Sequence, residues 1–178
     1  MAVARDVWGF FEQRDLRLMR RVHRWRAPRI VRFWMLLMTR LGDGPLWYGL
    51  GVILLLCGGP QRFHAVGAGA AAGLGAVLLF RQIKQISRRK RPCQIEPHCW
   101  AMITPPDQFS FPSGHTMTAF AMAISVGFFY PEIQIVLLSL AVAIAVSRII
   151  LGMHFLTDVL VGMFLGIGIG LVSIHLFT

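Results

Sequence analysis

IQIVLLSLAVAIAVSRIILGMHFLTDVLVGMFLGIGIGLVSIHLF, residues 133–177, decides the fold. Two uncharged apolar runs, 133–146 and 159–177, flank a short segment that holds Ser147, Arg148, His154 and Asp158. With its flanks, each run approaches the roughly 20 residues a helix needs to cross a bilayer. Ionisable groups therefore gather where two membrane spans meet. Toward the N-terminus the same kind of run recurs at 116–130, 65–80 and 46–59. The expected architecture is all-α, an integral membrane helical bundle of about five transmembrane helices. Gly58-Gly59-Pro60 and Tyr130-Pro131 break the pattern and turn neighbouring spans into hairpins. Gly162, Gly166 and Gly170, four residues apart, form a side-chain-free stripe on the last helix, which permits close helix packing.

The composition agrees. Of 178 residues, 56% are hydrophobic and 15% charged, and the mean hydropathy is +0.62. A soluble domain carries about 25% charged residues, and a disordered polycation has far less apolar content. Yet the net charge is +10. Ten of the 18 Lys and Arg lie before residue 41, five more are Lys84, Arg88, Arg89, Lys90 and Arg91, and Arg148 is the only one after residue 91. Nucleic acid is not needed to explain this distribution. Arg5 to Arg32 intersperses arginines with Trp8, Phe10, Phe11, Leu16, Leu18, Met19, Val22 and Trp25. It reads as an amphipathic interfacial helix that attracts anionic lipids; the alternative is a solvated basic arm. The segment 33–41 is too short for a span and reads as a surface or re-entrant piece. The expected organisation is an interfacial segment at 1–41 and a membrane-embedded domain at 42–178.

Counting spans puts three polar groups at one membrane face: Lys84 with Arg91, then Ser113-Gly114-His115, then Arg148 with His154 and Asp158. Ionisable residues at membrane depth are functional suspects. Asp158, four residues after His154 on one expected helix face, would hold one imidazole nitrogen and leave the other as a free lone pair. Ser113 reads as the cap of a helix whose N–H groups cradle an anion, with Gly114 admitting it and His115 placed to protonate a leaving oxygen. Lys84, Arg91 and Arg148 have no obvious neutralising carboxylate nearby and suit a phosphate. Singly, each fragment has a plain alternative: a structural His–Asp pair, a juxtamembrane anchor, an ordinary cap.

Taken in order, Lys84, six residues, Arg91-Pro92; Pro112-Ser113-Gly114-His115; and Ser147-Arg148, five residues, His154, three residues, Asp158 resemble the three-part signature of the type 2 phosphatidic acid phosphatase superfamily. Thr39-Arg40-Leu41-Gly42-Asp43 is also similar to bacterial members. The resemblance implies a lipid phosphatase without metal or other cofactor, working through a phosphohistidine on His154. Asp158 would orient it and His115 would act as general acid. Lys84, Arg91, Ser113, Gly114 and Arg148 would hold the phosphoryl oxygens. The implied substrates are lipid phosphates or diphosphates such as undecaprenyl diphosphate, phosphatidic acid or phosphatidylglycerophosphate. A phosphotransferase with the same intermediate and a non-catalytic anionic-lipid-binding protein are the rival readings. Resemblance also implies a multi-pass protein of the bacterial inner membrane with its site facing the periplasm. The basic N-terminus, where many bacterial relatives have a first span, argues for the opposite side by the positive-inside rule. Cys93 and Cys99 would pair only in an oxidising compartment. Nothing in the sequence sets the oligomeric state.

Overall fold

The computed structural model describes residues 2–25, 27–96 and 107–178, with side chains from residue 12 onward. Eight α-helices occur among them: α1 (Ala2–Arg24), α2 (Arg29–Gly42), α3 (Pro45–Cys57), α4 (Arg62–Ser87), α5 (Pro92–Ile95), α6 (Gly114–Phe129), α7 (Pro131–Ile150) and α8 (Leu156–His175). Each of the five apolar runs falls in a helix of its own, α3, α4, α6, α7 and α8. Three of these, α7, α8 and the stretch Gly59–Ile95 that contains α4, are long and apolar enough to cross a membrane. The other two are shorter: at 1.5 Å per residue, α3 with 13 residues and α6 with 16 span about 20 and 24 Å. Large apolar side chains point outward from these helices, among them Leu56, Leu74, Ile135, Phe164 and Val172, each more than half exposed. In water so much exposed apolar surface would drive aggregation, whereas lipid satisfies it.

The helix α6 runs through the centre, its small residues Ala119, Ala121 and Ala123 fully buried. The glycine stripe of α8 lies against it. A Cβ on Gly162, Gly166 or Gly170 would come within 2.7, 2.3 and 2.9 Å of the backbone oxygens of Ser113, Met117 and Ala121. Two four-residue periods thus interlock, glycine on one helix and carbonyl on the other. The register also places the start of α6 against the start of α8, where Ser113 N donates to Asp158 O at 3.0 Å. At the other end, Tyr130 Oη donates to Gly58 O at 2.5 Å, tying the two hairpin turns together. The described polar connections, 88–96, 107–113 and 151–155, consequently lie at one mouth.

The N-terminal region differs from the single helix read over Arg5 to Arg32. It is broken after Arg24, and Arg29 and Arg32 belong to α2. Pro28 is the reason, because its ring disfavours the helical conformation of the residue before it and its fixed φ suits a helix start. The segment 33–41 is the body of α2. Its Ile30, Phe33, Trp34 and Leu37 are exposed, while Met35 packs on Leu151 and Met153, and Gly42 abuts Ile144. An amphipathic helix therefore packs along α7, with Met35, Met38 and Thr39 buried.

Candidate active site

The segment between α7 and α8 turns sharply through Gly152, whose φ is +66°. That turn brings His154 back under the mouth, 1% exposed. His154 lies two residues before α8, so it and Asp158 do not share a helix face as the spacing implied. The pairing survives by another route. Nδ1 of His154 is 3.6 Å from Asp158 Oδ2 and has no hydrogen-bond partner among the described residues, while Nε2 is 3.1 Å from Arg91 Nη1. A guanidinium can only donate, so the network assigns the lone pair to Nε2 and the proton to Nδ1, toward the carboxylate. Burial, and then the charges of Arg91, Arg148 and Lys84, push the His154 imidazole well below its ordinary value. The side chain is thus neutral near pH 7, with its lone pair turned to the cations.

Those cations converge. Arg91 is fully buried, with Nη1 on Met153 O at 2.8 Å. Arg148, 2% exposed, donates through Nη1 to Thr39 Oγ1, and its Nε and Nη2 are buried without a partner among the described residues. A buried guanidinium with two unmet donors is costly unless an anion is brought to it. Lys84 and Arg91 are not free of carboxylates, contrary to the expectation from sequence spacing. Asp107 joins them: Oδ2 is 2.6 Å from Lys84 Nζ and Oδ1 is 2.8 Å from Arg91 Nη2. Burial pushes the Asp107 carboxyl up, but its bonds to Lys84 and Arg91 outweigh this and hold it below the usual range.

At the start of α6, Ser113 occupies the cap position without capping. Its Oγ pairs with Thr116 Oγ1 at 2.9 Å, and no side-chain cap bond forms. Gly114 serves packing here, since a Cβ would meet the Phe80 ring at 3.0 Å. His115 Nε2 pairs with Asp43 Oδ1, and this bond holds the Asp43 carboxyl below its ordinary value. The mouth therefore contains two His–Asp pairs, one at each end of a cationic cage.

Three further residues escaped sequence reasoning. Arg89, read as part of a surface cluster, is 8% exposed and binds Asp158, and Asp15 of α1 binds Arg89 in turn. Ser110 Oγ also donates to Asp158 Oδ2. One signal was available: the chain has only eight Asp and Glu. Four of them, Asp15, Asp43, Asp107 and Asp158, are committed to this mouth. Cys93 is partly buried with a free thiol, and Cys99 lies outside the described residues.

A cavity of about 1160 Å³ opens from the mouth. Asp43, Lys84, Arg91, Asp107 and His115 line its polar end, and it continues between α3, α4 and α6 past Trp47, Leu54, Val77 and Val126. Gly69 and Gly73 of α4 also line it and leave room between the helices.

Fold and site together define an integral membrane helical bundle whose buried cationic cage meets an apolar groove. Residues 63–178 match the PAP2 superfamily, and the chain belongs to it. LpxE of Aquifex aeolicus has the same fold, with a TM-score of 0.77, 28% identity and coverage of 90% of this chain and 94% of that one. A PAP2-type phosphatidylglycerolphosphate phosphatase of Bacillus subtilis superposes with a TM-score of 0.73 over 93% of this chain and 85% of that one, at 24% identity. Among curated proteins, decaprenylphosphoryl-5-phosphoribose phosphatase of Mycobacterium tuberculosis is 36% identical over 128 residues, 68% of this chain and 64% of its own. Phosphatidylglycerophosphatase B of Bacillus subtilis is 29% identical over 149 residues, 76% and 63% respectively. The chain thus spans a little under two thirds of the length of these curated relatives.

Proposed function

We propose that this protein is a membrane lipid phosphatase that removes a terminal phosphate through a phosphohistidine on His154. The observation that supports it best is the arrangement of a neutral buried imidazole, its Nε2 facing Arg91, beside an Arg148 guanidinium with two unmet donors. Phosphoryl transfer needs positioning and charge neutralisation more than covalent machinery. In the first half, Nε2 of His154 bonds to phosphorus as the bond to the lipid oxygen breaks. His115 gives that oxygen a proton, and the lipid leaves as an alcohol or a shorter phosphate. In the second half, water attacks phosphorus, His115 takes the water's proton, and the N–P bond breaks to release inorganic phosphate. Lys84, Arg91 and Arg148 hold the equatorial oxygens, with the backbone at Ser113 and Gly114 alongside.

The lipid substrate class rests on the groove, which accepts an apolar chain next to the cage. The activities of the relatives, on a polyprenyl phosphosugar and a glycerophospholipid, keep undecaprenyl diphosphate, phosphatidic acid and phosphatidylglycerophosphate as the substrates to assay. In the same reading, the outer arginines of α1 lie on anionic headgroups while residues 42–178 supply the catalytic bundle, inner-membrane and facing the periplasm. The experiment is phosphate release from a panel of these lipids by detergent-solubilised protein, with EDTA present. Release that persists in His154→Ala, or that stops with EDTA, overturns the mechanism. Phosphate appearing on a second lipid instead of in solution makes the protein a transferase.

A further inference from the structure

The buried carboxylate Asp158 needs something to keep its charge in place. Its Oδ2 accepts from Phe155 N at 2.8 Å and from Ser110 Oγ, and its Oδ1 accepts from Arg89 Nη1 at 2.7 Å. Arg89 is itself clamped. Its guanidinium lies 4.3 Å above the Phe155 ring, Nη1 reaches Thr157 Oγ1 at 2.8 Å, and Nη2 reaches Asp15 Oδ2 at 2.7 Å. Asp15 also accepts from Thr157 N at 3.3 Å and from Thr157 Oγ1. Asp15, Arg89 and Asp158 are 3, 8 and 0% exposed.

We propose that Arg89 and Asp15 are positioning residues for the reaction, and that the N-terminal helix is a working part of the active site. Resting on the phosphohistidine reading above, the inference is a chain of alternating charge, Asp15, Arg89 and Asp158, that runs from α1 to the neutral imidazole of the nucleophile His154. Arg89 fixes the rotamer and charge of Asp158, and Asp158 fixes the imidazole that turns Nε2 to the phosphate. Asp15 prevents Arg89 from swinging away, with Thr157 as the bridge between them. Neither residue lines the cavity whose polar end is the cage, so both act on the transfer step. The helix that carries Asp15 lies outside the residues that match the superfamily, and its opposite face is arginine-rich and exposed. The contact that docks α1 is therefore also a contact that aligns the nucleophile.

The test uses the full chain in detergent, with steady-state kinetics on phosphatidic acid. Misplacing a reacting group by about 1 Å costs on the order of 100-fold in rate. Asp15→Asn is expected to lower kcat about 10- to 100-fold at unchanged KM, with Arg89→Lys recovering part of what Arg89→Ala loses. Thr157→Val, a milder change if Asp15→Asn folds poorly, should lower kcat a few-fold in the same manner. The double variant Asp15→Asn with Arg89→Lys should lose less than the product of the single losses, as coupled residues do. Arg20→Gln breaks the exposed α1 contact with Glu96, 2.5 Å in length, without touching the charge chain, and should leave kcat as it is. An unchanged kcat in Asp15→Asn and Thr157→Val, multiplicative losses, or an equal loss in Arg20→Gln would overturn the proposal. His154→Ala is run beside them: if it stays active the phosphohistidine reading fails, whereas an inactive His154→Ala with a fully active Asp15→Asn refutes only the role of α1.

Discussion

Asp107 Oδ2 lies 2.6 Å from Lys84 Nζ, inside the cage proposed to hold phosphate. Its other oxygen holds Arg91 Nη2 at 2.8 Å. An internal carboxylate thus satisfies two cations that a substrate phosphate would need. A phosphate brings about −1.5 to −2 charge against the carboxylate's −1 and has three acceptor oxygens, so it can displace Asp107 where a monoanion would compete poorly. Asp107→Asn removes the competing charge. The carboxylate is partly exposed, which limits the pair to about 1 kcal/mol, roughly fivefold. The expected outcome is a competitive inhibition constant for inorganic phosphate about fivefold lower than in the parent protein. Weaker inhibition would show that Asp107 organises the cage instead of occupying it.

The pairing of His115 with Asp43 predicts dependence on the leaving group. A lipid alkoxide must be protonated as it leaves, and a positioned general acid supplies about 10²- to 10⁴-fold. In phosphoenzyme formation, trapped before water attacks, His115→Ala should show a loss of that order with phosphatidic acid and a far smaller one with p-nitrophenyl phosphate, whose phenolate leaves unprotonated. Asp43→Asn should follow the same pattern more weakly, because the partner that orients His115 is then neutral. Equal losses on both substrates would place these residues in binding.

Burial and the cage cations hold His154 well below its ordinary value. The imidazolium has no lone pair, so reactivity is present above the folded pKa and lost as pH falls through it. A lowered pKa moves that loss to pH values well under 6.5. Phosphoenzyme formation from p-nitrophenyl phosphate, corrected for the dianion fraction with its second ionisation at about 6, should stay level from pH 8 through 6.5. Quench-flow trapping measures it, and half-loss near 6.5 would mean that the imidazole is open to water.

Much of the bundle was legible in the sequence because lipid imposes it. A run such as 133–146, extended by its flanks into the 20-residue α7, can cross lipid only as a helix, and Gly58-Gly59-Pro60 and Tyr130-Pro131 interrupt helices for local steric reasons. The three clusters that end up at the mouth were legible through their spacing on those helices. The contacts between clusters were not, since Asp107 reaches Lys84 across 23 positions and Asp15 reaches Arg89 across 74. The rarity of acids pointed to such residues without saying which cation each would meet. His154 was misplaced for a local reason: the positive φ of Gly152 turns the chain before α8 begins, so an i, i+4 pair forms without a shared helix.

The interlocking of α6 and α8 can be tested by one methyl group. At Gly166 a Cβ would stand 2.3 Å from Met117 O and 3.1 Å from its carbonyl carbon, a backbone obstacle with no rotamer to yield. At Gly168, two residues along the same helix, nothing lies within 4 Å. Both substitutions improve helix propensity equally, so their difference isolates packing. Gly166→Ala should cost about 1–3 kcal/mol and lower the thermal unfolding midpoint in detergent, whereas Gly168→Ala should be neutral or slightly stabilising. Activity should fall with the first as well. The displaced α6 carries Ser113 and His115 away from α8, whose first turn holds Asp158 through Ser113 N. If both variants melt and turn over alike, α6 and α8 do not pack through the glycine stripe, and the site would have to be held together by its loops.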